Sequence, residues 1–157
     1  MKNKIYLIAI SLILCMALMP EDVMAQDNPK YDEKLARELK GDDYGMKRYI
    51  LVILKSGTSD NFSKLQQDSI FKGHMANIDR LANNGDLIVA GPMGKNDKAY
   101  RGIFIFDVAN IDSARQFVAA DPVIISGMME AEYYNWYGSA ALKETLKIHK
   151  RIEKKGH

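Results

Sequence analysis

Three histidines, His74, His149 and His157, are the side chains of this chain best suited to move protons near neutral pH. His149 and His157 belong to a basic tail, where solvent is their expected surrounding. His74 stands apart, inside the stretch Gly73-His74-Met75-Ala76-Asn77-Ile78-Asp79-Arg80-Leu81. Phe71, Ile78 and Leu81 recur there at three- and four-residue steps, the period of a helix with one apolar face, and His74 falls on the same side. A polar group aimed at a core needs a partner, since burying it unpaired costs roughly 1–3 kcal/mol. The best candidate is Asp121. Read as the last residue of a second helix, it shares the inward face of Ala114 and Val118. With two helices side by side on a sheet, imidazole and carboxylate meet at the edge of one pocket. A carboxylate on one ring nitrogen fixes the tautomer and leaves the other nitrogen free to take a proton, which describes a general base with an orienting acid. The structural alternative stands beside it. A lone histidine on an apolar stripe also serves as a hydrogen-bonded core residue, and an aspartate before proline also simply ends a helix or caps a turn.

Other chemistries find no footing. No two histidines have metal-ligand spacing and no compact His/Asp/Glu cluster appears, whereas a catalytic zinc takes three protein ligands; neither metal nor cofactor is expected. No Gly-rich phosphate loop follows a strand, and no G-x-S-x-G elbow is present. Gly91-Pro92-Met93-Gly94 reads as a turn. Trp136, with Tyr133, Tyr134 and Tyr137, either walls a pocket for a flat ligand or packs as an aromatic edge strand. Gly91, Pro92 and Trp136 are the candidate substrate-pocket residues.

The elements that must position these groups follow from pattern. Residues 47–55 (KRYILVILK) and 102–106 (GIFIF) are apolar runs without alternation, expected as central strands buried on both faces. Residues 86–90 and 130–137 supply two more strands. Ser63 and Gln66 form a capping box that opens a helix over 64–84, stopped by Gly85. Asn110 or Asp112 caps a second helix ending at Asp121, because Pro122 disfavours a helical residue before it. The order β-α-β-β-α-β is the split βαβ of ferredoxin-like folds: α+β, a four-stranded antiparallel sheet with helices on one face. The uncovered face carries either the Ile50/Val52/Leu54 set or the Tyr49/Leu51/Ile53 set. It calls for a cover, so a homodimer through the sheet face is expected.

Lys2 and Lys4, then a nearly unbroken apolar run over 5–19 and Val23-Met24-Ala25, have the layout of a secretory signal peptide at 1–25. The run is short for a membrane span, though an uncleaved anchor is the other reading. Cys15, the only cysteine, lies within the run, so the mature chain has no disulfide or thiolate chemistry. Residues 26–45 read as a polar leader, partly disordered, with a short helix over 31–40 ended by Gly41. The ferredoxin-like domain spans 46–138, and 139–157 is a basic amphipathic tail, solvated or, less simply, membrane-surface bound. The net charge is +2; residues 141–157 hold six Lys/Arg against two Glu, which leaves 26–140 with fourteen bases against sixteen acids. A slightly acidic body is a poor nucleic-acid binder.

Several short blocks occur in order: Gly73-His74 with Ile78-x-x-Leu81, Asn84-Gly85-Asp86-Leu87, Ala90-Gly91-Pro92, Ala119-Ala120-Asp121-Pro122 and Ser126-Gly127. Together they resemble the YCII-related (YciI-like) family over about 46–137. The resemblance implies a fold of the dimeric α+β barrel type and a His–Asp active-site pair at His74 and Asp121. Most members have no assigned substrate; a few are similar to enzymes of aromatic degradation, including a dehydrochlorinase acting on a chlorinated hydroxyquinol. An export signal and a long basic tail depart from the common pattern. The expected function is a small cofactor-independent lyase or isomerase in the periplasm, or secreted, acting on a small organic molecule. The alternative is a non-catalytic ligand-binding or structural dimer module.

Overall fold

The computed structural model describes residues 28–155; the expected signal peptide, Cys15 and His157 lie outside that range. Residues 28–32 form a turn of their own, in which the Tyr31 N–H donates to the Asn28 carbonyl at 2.9 Å. A second unit begins at Glu33. Its elements are α1 (Glu33–Leu39), β1 (Met46–Ser56), α2 (Lys64–Asn84), β2 (Leu87–Pro92), β3 (Tyr100–Phe106), α3 (Ile111–Ala119), α4 (Pro122–Ile125), β4 (Met129–Ser139), a 3-10 helix (Ala140–Glu144) and α5 (Thr145–Ile152).

The two apolar runs lie where their lack of alternation puts them. The sheet order is β2-β3-β1-β4, antiparallel throughout, with β1 and β3 in the middle. This is the ferredoxin-like α+β plait. Ile50, Val52, Leu54, Phe104 and Phe106 face α2 and α3 and form the main core with Leu81, Leu87, Ala114 and Val118. Tyr49, Ile88 and Ile105 lie on the second face. A bulge between Leu87 and Val89 turns Leu87 to the helices while Ile88 and Val89 both serve the second face.

Helix ends follow local chemistry. Ser63 Oγ accepts from Gln66 N–H, and Gln66 Oε1 accepts from Ser63 N–H at 2.8 Å, so α2 opens on a complete capping box. Gly85 closes it at φ +80°, where a side chain would be strained. Asn110 caps α3 through Ser113 N–H at 2.9 Å. The expected helix over 31–40 starts at Glu33, and its left-handed residue is Lys40 at φ +58°. Gly41 lies one place further on, donating to the Ala36 carbonyl at 2.9 Å.

Two expectations change. α3 stops at Ala119, and Asp121 is extended (φ −78°, ψ +130°), so it is the N-cap of α4 rather than the last residue of α3. Proline suits the first helical position because its missing N–H has no partner to lose there, and aspartate before it supplies the cap. The second sheet face is also not bare. Leu142 and Leu146, one helical turn apart, pack on the cluster of Tyr49, Ile88 and Ile105. The segment is fastened by Thr145 Oγ1 to the Ile88 carbonyl at 3.2 Å, by Lys143 to Asp107 at 3.2 Å and by Lys150 to Asn83 at 2.8 Å. Its charged side chains mask two leucines that are spaced to cover a sheet.

Candidate functional site

His74 sits at the middle of α2, and its ring packs against Phe104 of β3 (centroids 5.9 Å) and meets Phe71 in a T-shaped contact (6.2 Å). Gly73 lets the helix come this close. A Cβ on Gly73 would lie 2.8 Å from Pro122 Cγ, so the glycine and the proline beside the two candidate residues are the contact that seats one against the other. Asp121, fully buried, is fixed from its own side by capping: its Oδ1 accepts from Val123 N–H at 3.1 Å.

His74 Nδ1 lies 2.9 Å from both carboxylate oxygens of Asp121. Asn77, one turn along the same helix, donates from Nδ2 to Asp121 Oδ2 at 2.9 Å. Arg80 in turn donates from Nη2 to Asn77 Oδ1 at 2.7 Å. These bonds assign the protons. Guanidinium has no acceptor, so the Asn77 atom facing it is oxygen and the amide nitrogen faces Asp121. Both carboxylate oxygens are then acceptors, and Nδ1 must carry the proton between them. In neutral imidazole that leaves the lone pair on Nε2. Among the described residues no buried side-chain nitrogen or oxygen lacks a hydrogen-bond partner. Nε2 makes no such bond to a described residue, so it lies at the part of the ring that solvent reaches; the residue as a whole is 8% exposed.

The family model described as "YCII-related domain" matches residues 49–136, more than half of the chain. The chain belongs to the YCII-related domain family. No curated protein matched. Among solved structures, 5-chloro-2-hydroxyhydroquinone dehydrochlorinase from Burkholderia phenoliruptrix AC1100, in complex with 2,5-dihydroxybenzoquinone, is 21% identical with a TM-score of 0.41, over 55% of this chain and 92% of that one. His74, Asn77, Arg80 and Asp121 all fall within the YCII-related match, while α1 and the C-terminal segment from Ala140 lie outside it.

The structure brings His74 and Asp121 together and leaves the other candidate residues elsewhere. Trp136 pairs with Tyr49 across β4 and β1, rings 5.8 Å apart, on the face opposite the helices. The sheet therefore separates it from His74, whose ring lies on Phe104. Gly91 pairs with Ile103 on that same second face; Pro92 pairs with Gly102 on the helix-bearing face, exposed at the sheet edge. Alternation along strands decides this, and aromatic content alone carries no information about face. Two surface depressions also lie apart from the pair. One, of about 450 Å³, is lined by residues that include Thr58, Arg115, Ile124 and Tyr133; the other, of about 350 Å³, is formed by residues 58–62. Sequence reasoning missed Asn77 and Arg80, although an asparagine three places after His74, beside the apolar stripe, was the available signal.

Proposed function

We propose that this YCII-related protein is a small exported enzyme that moves a proton on a small organic molecule without a cofactor, as a lyase or isomerase does. His74 is the base and Asp121 its orienting acid. One observation carries the reading: Asp121 is fully buried, and its oxygens accept from Val123 N–H, Asn77 and His74 Nδ1, leaving Nε2 as the open nitrogen. A substrate C–H or O–H proton passes to Nε2. The imidazolium so formed keeps its Nδ1–H bond to the carboxylate, whose charge offsets the new positive charge; the burial of that carboxylate and of Phe104 beside the ring strengthens the attraction. Return of the proton to another atom gives an isomerase; loss of a leaving group gives a lyase.

The test starts from a compound panel rather than from one substrate. Small enolisable and hydroxylated ring compounds are incubated with the protein in deuterated water, and exchange or elimination is followed by NMR. His74→Ala and Asp121→Asn should each lower the rate at least about 100-fold, the usual contribution of general base catalysis. Folded variants that retain the wild-type rate would end the reading.

A second reading has its own observation. Both depressions described above exclude His74 and Asp121 from their lining, which favours a non-catalytic periplasmic ligand-binding or structural module in which the pair is a core hydrogen bond. Ligand-induced stabilisation that persists in His74→Ala supports it.

Export rests on the signal-like residues 1–25, and N-terminal sequencing of the mature protein tests it. A homodimer would use the part of the second face that the C-terminal segment leaves open, where Leu51, Ile53 and Ile103 are half-buried and Tyr134 is exposed. Ile53→Lys should then yield a folded monomer in sedimentation, whereas an unchanged mass would place any interface elsewhere.

A further inference from the structure

We propose that Asn77, held by Arg80, is the positioning residue of this site: it orients the Asp121 carboxylate so that His74 is kept in the tautomer whose Nε2 is open. The inference rests on the reading of His74 as a base.

The helix supplies the geometry. Steps of three residues drift about 60° around an α-helix, so His74, Asn77 and Arg80 progress from the inward face to the outer one. Their burial follows: His74 is buried, Asn77 half-buried and Arg80 exposed. One helix thus runs a line of donors from solvent down to a carboxylate on another element. Arg80 gives 2.7 Å to Asn77 Oδ1, and Asn77 gives 2.9 Å to Asp121 Oδ2. The amide cannot turn over, because that would aim its NH₂ at a guanidinium and its oxygen at a carboxylate.

Asp121 needs this second hold. Its Oδ1 is fixed by the Val123 peptide at 3.1 Å, but a single fixed donor leaves the carboxylate free to rotate about Cβ–Cγ, a broad torsion. Asn77 on Oδ2 removes that freedom. His74 Nδ1, 2.9 Å from both oxygens, then meets an acceptor held at two points. The exposed Arg80 spends its hydrogen bond on an amide, and no carboxylate is paired with it among the described ion pairs. Its role is therefore to set the direction of Asn77.

The experiment reads the tautomer directly. The chain is labelled with ¹⁵N-histidine, the His74 ring signals are identified by their loss in His74→Gln, and their nitrogen shifts give the ratio of Nδ1–H to Nε2–H forms. Nδ1–H should dominate in the wild type. Asn77→Leu, similar in size without a donor, should lower the ratio roughly 3- to 10-fold, the factor for one hydrogen bond of ordinary net strength. Asn77→Ala serves the same purpose if the leucine variant fails to fold. Arg80→Met should lower the ratio by less, and Arg80→Lys should return it toward wild type. Thermal stability is recorded alongside. If Asn77→Leu and Asn77→Ala lower stability and leave the ratio unchanged, Asn77 is only structural and the proposal is overturned. Asp121→Asn separates the two levels. Should it shift the tautomer while neither Asn77 variant does, only the positioning role falls. Should it leave the tautomer untouched, the His74–Asp121 reading falls and takes this inference with it.

Discussion

Replacing Gly73 with alanine sets helix propensity against packing, and the magnitudes decide the outcome. Glycine inside a helix is less favourable than alanine by about 1 kcal/mol, so propensity alone predicts a more stable protein. The new Cβ, however, would lie 2.8 Å from Pro122 Cγ and 3.4 Å from Pro122 Cβ. Carbon atoms prefer roughly 3.5–4.0 Å, so α2 and α4 must separate by somewhat under about 1 Å. Over-packing of this kind costs about 1–3 kcal/mol. The same displacement stretches the 2.9 Å contact between His74 Nδ1 and Asp121 toward the limit of a hydrogen bond, and a bond to a charged group contributes about 1.5–3 kcal/mol. Relaxation trades one loss against the other, so the net destabilisation is about 2 kcal/mol, which in a domain of this size lowers the melting temperature by roughly 5–10 °C. Denaturant titration and calorimetry give the stability, and the His74 ring nitrogens report the pair. Pro122→Ala clears the space the Cβ needs and leaves the Asp121 cap in place. The double variant should therefore recover most of the loss, a coupling that a double-mutant cycle isolates. A Gly73→Ala protein that gains about 1 kcal/mol with unchanged ring signals would show that propensity governs the site and that the glycine–proline contact does not seat the pair.

Two pH-dependent predictions concern the C-terminal segment. Burial pushes the Asp107 carboxyl up, but hydrogen bonds and charge from Lys47 and Lys143 outweigh it and hold the group below its ordinary value. A carboxylate depressed in the folded state stabilises the protein above its unfolded value and loses that contribution as pH falls through the folded one. Asp107→Asn should therefore flatten the acid limb of stability below about pH 4 and loosen the segment carrying Lys143, measurable as faster amide exchange over 140–152. Tyr49, sealed beneath that segment, has its phenol pushed up to about 12, chiefly by burial and then by the nearby Asp107 charge. A raised value means stability present below the unfolded tyrosine range near pH 10 and lost as pH climbs through the folded value. The wild type should thus lose stability between about pH 10 and 12, and Leu142→Ala with Leu146→Ala should bring Tyr49 ionisation down, read by tyrosinate absorbance. An unchanged Tyr49 titration in that double variant would mean the segment does not shield the ring.

Much of the architecture was present in local pattern. Non-alternating runs at 47–55 and 102–106 required burial on both faces, and that requirement placed β1 and β3 in the middle of the sheet. Ser63, Gln66, Gly85 and Asn110 marked helix ends through bonds that close within a few residues. The inward position of His74 followed from helical period, and its need for a partner from the cost of burying a polar ring. Tertiary structure decided the rest. Helical period does not say which strand residues a helix will cover, so the choice between the Ile50/Val52/Leu54 and Tyr49/Leu51/Ile53 faces waited on packing, and with it the side on which Trp136 lies. Asp121 became a cap because α3 stopped two residues early and Pro122 began a new turn. Asn77 and Arg80 gained meaning only when a carboxylate 44 residues after Asn77 came within 2.9 Å of its amide. Bonds that close within one turn are written in neighbouring residues. Those that close across the fold depend on how the elements pack, and proton positions at this site belong to the second kind.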